Sequence, residues 1–245
     1  IEVDYVTAHI TLSNVTQDSG GYSPLGIWSS NVRLTLEGNN TMLTEDNAID
    51  MRSQASLTID GPGTLTVGRA DKRVSCGIYT SRENVTIDGG VLNIYAQNAA
   101  IIGWHDGDSL TVNGGVIRGD VSGDGRRYSG LGVSGNPSGD SIDITINGGT
   151  VELTGSNNKI YADSGTVVIT GGSVTAGGVT PAPTNGTDPV YAVTVEGIGS
   201  GTVDAFQLKK GGVVQDYGAP ACTTTDGKLT LYLPEGAYSG TAIVG

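Results

Sequence analysis

Short runs of alternating apolar and polar residues recur along the first three quarters of the chain. Each run reads apolar, Thr or Val, apolar, polar and Gly, and alternation with a period of two is typical of a strand that buries one face. The first and third residues share a face, so we predict that they point inward and that the residue between them points outward. The six copies are Leu34–Gly38, Leu57–Gly61, Val85–Gly89, Leu110–Gly114, Ile144–Gly148 and Val167–Gly171.

The spacing of these copies is that of stacked solenoid units. Their closing glycines lie 23 to 34 residues apart, which falls within the roughly 20 to 50 residues typical of structural repeats. A second apolar segment precedes several copies, as in Gly26-Ile27-Trp28, and a third follows several, as in Val91–Ile94. The pattern predicts an all-β, three-sided parallel β-helix of about six to seven coils, with glycines at the corner after each copy.

One coil cannot be stable alone. Its four or five inward aliphatic side chains contribute roughly 1.5–3 kcal/mol each, whereas ordering about 25 residues costs about 1–2 kcal/mol for each residue. Stacking pairs every strand with the coils above and below at about 4.8 Å and joins the inward side chains into one core. The coils must therefore fold together.

The repeat ends at Gly178, which divides the chain into three parts. Pro181, Pro183 and Pro189 follow within a short stretch, and prolines at this density favour an extended linker. New alternating runs then extend from Tyr191 to Leu233. We predict a β-helix over residues 1–178 with its repeats in 10–178, a linker over 179–189, and a small C-terminal β-module or cap over 190–245.

Composition restricts the function classes. The 245 residues include 40 Gly and carry a formal net charge of −12, which repels nucleic acid and anionic membranes. No stretch approaches the roughly 20 apolar residues of a membrane-spanning helix. We therefore expect neither nucleic-acid binding nor membrane insertion.

The chain start and the cysteines concern location. The sequence begins at Ile1 without Met or a leader, so we expect a processed or trimmed chain from a secreted or cell-surface protein. Cys76 and Cys222 are far apart and lack metal-ligand spacing. They are either two separate thiols or a disulfide between the C-terminal region and the solenoid.

The repeat resembles a known group of proteins. Val85–Gly90, Leu110–Gly115 and Ile144–Gly149 are similar to the coils of clostridial and other Gram-positive β-helix surface proteins that bind cellulose or pectin. The resemblance covers roughly residues 20–178 and implies a right-handed, pectate-lyase-like fold. It also implies binding of plant-wall polysaccharides, including acidic ones, with calcium at the coil corners. The paired aspartates frequent at those corners are missing from this chain.

Aromatic residues are candidates for sugar binding. Trp28, Tyr79 and Tyr161 each follow an Ile that we predict to point inward, and Trp104 lies near the same column. Rigid aromatic rings offer apolar area at low entropic cost, which suits stacking on sugar rings. The alternative interpretation is that these residues are scattered surface or core aromatics.

A second predicted column consists of hydroxyl side chains. Its members each precede an acidic or amide residue by two positions, so stacked coils would offer a hydrogen-bonding face to a glycan. The alternative is that Thr suits strands and that Asp and Asn suit turns. The members are Thr35, Thr58, Thr86, Thr111 and Thr145.

The longest coil holds charged candidates. Arg126, Arg127 and Tyr128 lie in a Gly-rich insertion, and arginines there would clamp a sugar carboxylate beside the Tyr ring. A solvated loop with internal ion pairs is the alternative. Calcium is the one cofactor that the sequence suggests, because Ca²⁺ prefers oxygen ligands. Its candidate ligands are Asp106, Asp108, Asp120 and Asp124, although their spacing matches no dedicated loop.

Three functions follow from these patterns. The leading hypothesis is a non-catalytic carbohydrate-binding or adhesive module of a bacterial surface protein, with a polysaccharide or a host or plant glycan as partner. The first rival is a β-helix lyase or glycoside hydrolase acting on acidic polysaccharide, which would need carboxylates about 5–10 Å apart. The second is a structural spacer of a larger surface protein.

Overall fold

The structure is a computed structural model that describes residues 1–123, 129–133, 142–162, 164–215, 222–224 and 226–244. All regular structure in these residues is β-strand, and they include no helix that is long and apolar enough to cross a membrane. Most strands stack in three parallel rows, which we name faces A, B and C.

The three faces follow one another along each coil. Face A consists of β1 (Glu2–Asp4), β4 (Leu25–Trp28), β7 (Ile49–Arg52), β10 (Val74–Thr80), the second half of β12 (Val91–Gly103), β15 (Leu131–Val133), β18 (Ile160–Ala162) and β21 (Val179–Thr180). Face B consists of β2 (Thr7–Ser13), β5 (Asn31–Glu37), β8 (Ser56–Asp60), β11 (Asn84–Ile87), β13 (Asp108–Val112), β16 (Ile142–Ile146), β19 (Val167–Ile169) and β22 (Thr184–Asn185). Face C consists of β3 (Thr16–Asp18), β6 (Asn39–Leu43), β9 (Thr64–Val67), the first half of β12, β14 (Val116–Val121), β17 (Thr150–Gly155) and β20 (Ser173–Thr175).

The predicted all-β solenoid is confirmed. Its core is a continuous column of inward aliphatic side chains, and the repeat residues occupy it as expected: Leu57, Ile59, Val85 and Ile87 are buried, and Thr86 between the last two is half-buried. The alternation in the sequence thus fixes which side of each strand faces the core.

One pairing expected from the repeat is wrong. The pattern places Leu34 beside Leu57, but Leu34 lies beside Ile59. The third coil makes its corner two residues later, and the backbone N–H of Gly63 donates to the Leu36 carbonyl at 2.9 Å. A shift of two residues keeps every side chain on its own face, so the apolar pattern cannot distinguish the two registers.

The same shift corrects the predicted column of threonines. Thr35 lies beside Asp60 rather than Thr58, and its hydroxyl donates to the Asp60 carboxylate at 2.6 Å. Arg33 occupies the position beside Thr58. The column of adjacent threonines therefore consists of Thr58, Thr86, Thr111 and Thr145.

Glycines make the corner between faces B and C. Gly90, Gly115, Gly149 and Gly172 have φ between +73° and +80°, which side chains other than Gly rarely adopt. They also stack closely. A Cβ on Gly115 would lie only 2.6 Å from the Gly90 carbonyl oxygen. Glycine is required there for both conformation and space.

A small antiparallel module follows the solenoid, as predicted. The segment 179–189, expected to be a linker, contains β21 and β22, which pair with β18 and β19. The strands of the module are β23 (Asp188–Glu196), β24 (Gly201–Lys210), β25 (Val213–Gln215), β26 (Thr223–Thr224), β27 (Lys228–Pro234) and β28 (Tyr238–Val244). β23 pairs with β22 and β27, while β24 pairs with β25, β26 and β28.

The β23–β27 hairpin covers the last coil. Val190 and Tyr232 join the solenoid core, whereas Leu229 and Leu231 belong to a second core inside the module. The two cysteines are divided in the same way and lie as separate thiols, Cys76 in the first core and Cys222 in the second. Burial raises the pKa of Cys76 to about 12 and that of Cys222 to about 11, so both stay protonated at neutral pH.

Candidate functional site

The four aromatic residues singled out in the sequence lie along face A. Ile27, Ile78 and Ile160 are buried, and Trp28, Tyr79 and Tyr161 after them are half-buried. Trp104 is also half-buried, and with Tyr79 it packs against the edge of the core. Their role in binding a ligand stays a prediction.

The aromatic residues occupy two columns rather than one. Tyr79 lies beside Asp50, which lies beside Gly26. Trp28 is two residues beyond Gly26 and lies beside Arg52. The expected alignment of Trp28 with Tyr79 is therefore wrong by two residues, although both remain on the outer side of face A.

The indole of Trp28 lies across its own strand. A Cβ on Gly26 would overlap the Cζ3–Cη2 edge of the six-membered ring of Trp28, so that edge fills the space that a side chain at position 26 would take. The ring atoms nearest to Gly26 are Cζ3 and Cη2, on the outer edge of the six-membered ring. Gly26 is the residue that makes this ring position possible.

An ion pair separates Trp28 from Tyr79. Arg52 Nε and Nη2 donate to the two Asp50 carboxylate oxygens at 3.1 and 3.0 Å. The Arg52 guanidinium carbon also lies 6.0 Å from the centre of the Tyr79 ring, within the range of a cation–π contact. The hydrogen bonds that Arg52 donates to Asp50 raise the pKa of Arg52, and burial raises the pKa of Tyr79. We call Trp28, Asp50, Arg52, Tyr79 and Trp104 the face A strip.

A groove of about 400 Å³ adjoins the strip at the corner between faces A and B, lined by Arg52, Ser53, Gln54, Ser81 and Arg82. Ser53, Gln54 and Arg82 have φ of +66°, +64° and +84°. Such backbone conformations are costly for residues other than Gly and persist only where the surroundings hold them.

Two buried carboxylates hold this corner. Glu83 is 0% exposed and accepts the backbone N–H groups of Ser81 and Gln54, the latter at 3.1 Å. Asp108 is 2% exposed, and its Oδ1 accepts the N–H of Arg82 at 2.9 Å and that of Glu83 at 2.7 Å. Burial, with a smaller contribution from the Asp108 charge, raises the pKa of Glu83 to about 7.

The three predicted calcium ligands that the structure describes, Asp106, Asp108 and Asp120, have different surroundings. The second carboxylate oxygen of Asp108 accepts a hydrogen bond from the His105 backbone N–H at 2.8 Å. Asp106 is exposed. Asp120 lies on face C and pairs with Arg73 at 2.9 Å. In the described part of the chain, no group of three His, Cys, Asp or Glu side chains is arranged to hold a metal ion. The calcium site stays a prediction.

The insertion with the arginine candidates lies outside the described residues. This holds for Asp124, Arg126, Arg127 and Tyr128, so their predicted roles rest on the sequence alone. Sequence reasoning also missed Asp50, Arg52 and Glu83. The Arg52–Tyr79 and Glu83–Gln54 contacts join different coils, whereas the Asp50–Arg52 pair lies within one strand.

The polar side chains of face B bond one another. Asn113 donates to Asp88 at 2.9 Å, Asn147 donates to Asn113 at 2.9 Å, and Thr170 donates to Asn147 at 2.8 Å. Ladders of this kind stabilise stacked strands. These bonds join Asp and Asn members of the predicted polar ladder to one another, and the contact of the Thr, Asp and Asn ladders with a glycan stays a prediction.

Fold and surface define a parallel β-solenoid with aromatic and hydrogen-bonding side chains along one outer face. Residues 5–214 match the family described as "Carbohydrate-binding domain-containing protein". Because the match covers most of the chain, the protein belongs to this carbohydrate-binding family. Neither a curated protein nor a solved structure gives a significant match.

Proposed function

We propose that this protein is a non-catalytic module that binds a polysaccharide along the face A strip. The observation that carries the proposal is the position of Trp28, whose indole fills the space beside Gly26 on the outer side of face A, next to the Asp50–Arg52 pair. Flat aromatic rings stack on the apolar faces of sugars, while adjacent charged groups bond the hydroxyls. Family membership supports the carbohydrate class.

The spacing of the strip suits a chain ligand. Trp28, Arg52, Tyr79 and Trp104 come from four successive coils, and coils rise by about 4.8 Å. The strip therefore extends about 14 Å from Trp28 to Trp104. A glycan lying parallel to the solenoid axis would meet a ring or a guanidinium on each of these four coils.

The hydrogen-bonding groups complement a sugar. Arginine has five N–H donors, of which Asp50 accepts two. The others are available to hydroxyls, and the adjoining groove adds Arg82 and Ser81. We further propose that binding occurs outside the cell and serves adhesion, as expected for the surface proteins that the repeat resembles.

Pull-down with insoluble cellulose, xylan, mannan and pectin tests the proposal. We expect the double variant Trp28→Ala/Tyr79→Ala to bind at least about tenfold more weakly to the retained polysaccharide, because aromatic anchors carry much of such binding energy. Tyr191→Ala is the matched control, since Tyr191 is 56% exposed on the distant β23. Equal binding by the double variant and the control would refute the assignment to face A.

A separate experiment tests the proposal that the module is non-catalytic. The protein is incubated with polygalacturonate, and unsaturated and reducing ends are measured. We expect neither to accumulate, because catalysis would need accessible carboxylates about 5–10 Å apart. Asp108 is buried, and Asp120 lies on face C and pairs with Arg73. Accumulating ends that depend on protein concentration would instead establish the enzymatic rival.

A further inference from the structure

A second polar groove lies on face C. Its first part has a volume of about 230 Å³ and its second part about 530 Å³. Glu152 and Thr154 line both parts, so the two parts adjoin. We define the face C groove by Tyr95, Arg118, Asp120, Glu152, Thr154 and Thr230.

Strand pairing arranges the floor of this groove as a grid. Tyr95, Asp120 and Thr154 lie beside one another on successive coils, and Arg118 lies beside Glu152 in the next column. Neighbouring coils are about 4.8 Å apart, and alternate residues of one strand are about 7 Å apart. The floor thus presents one aromatic ring, one guanidinium, two carboxylates and a hydroxyl at regular intervals.

Each charged side chain of the floor has an oppositely charged partner. Arg118 Nε lies 2.8 Å from Glu152 Oε2, and Arg73 Nη2 lies 2.9 Å from Asp120 Oδ2. Paired charges of this kind can donate to and accept from hydroxyl groups, but they do not attract a net charge. The groove therefore favours an uncharged ligand rich in hydroxyls over a uronate.

The C-terminal hairpin forms the end wall. The Thr230 backbone N–H donates to Ser173 Oγ at 3.1 Å, and the Thr175 hydroxyl donates to the Thr230 hydroxyl at 3.4 Å. Lys228 and Glu196 on the same hairpin pair at 2.8 Å and also line the groove. Because Tyr232 is buried in the solenoid core, the wall is fixed to the last coil.

We propose that the face C groove is a second binding site, which takes a neutral oligosaccharide segment with one sugar ring stacked on Tyr95. The hydroxyls of that segment bond Arg118, Glu152 and Asp120, and its end meets the threonines of the wall. This site shares no residue with the face A strip, so either can exist without the other.

Titration calorimetry with cellohexaose, xylohexaose, mannohexaose and tetragalacturonate tests the proposal. We expect a neutral hexasaccharide to bind, and Tyr95→Ala to weaken that binding about tenfold, while Tyr191→Ala leaves it unchanged. Glu152→Gln leaves Arg118 without its carboxylate partner, so this variant should bind tetragalacturonate more tightly than the unaltered protein does.

The outcomes separate the two sites. Loss of hexasaccharide binding in Tyr95→Ala, with binding retained in Trp28→Ala/Tyr79→Ala, supports the groove whatever happens on face A. Three results would overturn the proposal: no binding of any neutral probe, no effect of Tyr95→Ala, or tighter binding of tetragalacturonate than of every neutral probe by the unaltered protein. A Tyr95→Ala variant with an unchanged circular dichroism spectrum excludes misfolding as the cause.

Discussion

Faces A and B belong to the same coils but use their outer side chains differently. On face B the same residue types recur at the same positions, and Asp88, Asn113 and Asn147 bond one another from coil to coil. On face A the residue type at a given position changes from coil to coil, so that Trp28 lies beside Arg52 and Asp50 lies beside Tyr79. Repetition lets polar groups bond one another, whereas departures from the repeat place aromatic rings and an ion pair on the outer side of face A.

The largest effect should come from the repeat itself. Ile87→Asp places a carboxylate in the core, where Ile87 is fully buried, and an uncompensated buried charge costs more than about 4 kcal/mol. We expect loss of the folded state, measured by circular dichroism and urea denaturation. Asn84→Asp on the exposed side of the same strand is the control. A cooperative transition of near-normal stability in Ile87→Asp would contradict the stacked core.

The corner between faces A and B should make stability depend on pH. The pKa of Glu83 is about 7 in the folded protein against 4.5 for an ordinary glutamate. The folded state therefore binds this proton more tightly, so the stability that Glu83 contributes is full below about pH 4.5 and is lost as the pH rises to about 7. The shift corresponds to about 3 kcal/mol.

Urea denaturation at about pH 4.5 and pH 8 measures this loss. We expect Glu83→Gln to reduce the difference in unfolding free energy between the two pH values, while the exposed Glu45→Gln does not. A Glu83→Gln protein with the full pH dependence would show that another group is responsible.

At the corner between faces B and C, the stacked glycines should tolerate no side chain. Gly115→Ala combines φ of +73° with a contact to the Gly90 carbonyl, so we expect a loss of about 2 kcal/mol in unfolding free energy. Gly178 has open space around it, and Gly178→Ala should change stability by less than about 0.5 kcal/mol. Equal losses in the two variants would refute the packing of the glycine column.

A smaller effect, on binding rather than on stability, is expected from a side chain at Gly26, beside the Trp28 indole. Gly26→Ala displaces the indole from the strand while leaving the inward residues unchanged. We expect about three- to tenfold weaker binding of the polysaccharide retained in pull-down, with normal thermal stability. Gly21→Ala, where a Cβ meets no neighbour, is the control. Full affinity in Gly26→Ala would separate the ring position from binding.

Much of the fold follows from local sequence. The alternation in Val85–Ile87 and the following glycine pair predicted the strand, its buried side and the corner, because each property depends on a few consecutive residues. The sequence predicted the wrong partner for Leu34, because Leu57 and Ile59 are both apolar and two residues apart. Local alternation carries no information on which of the two is the neighbour.

The candidate site was less predictable. The outward position of Tyr79 follows from the buried Ile78, but the Arg52 guanidinium above its ring comes from another coil. The burial of Glu83 depends in the same way on Gln54 and Asp108 from adjacent coils. Such contacts are set by the register between coils, so a motif within one coil cannot reveal them.

The central claim is that face A binds the polysaccharide while face B holds the stack together. Titration of the protein with a soluble form of the retained polysaccharide, followed by NMR of side-chain N–H groups, compares both faces at once. We predict that the indole N–H signal of Trp28 shifts with ligand concentration and that the amide signals of Asn113 and Asn147 do not. Shifts of the asparagine signals with an unchanged Trp28 signal would contradict the account.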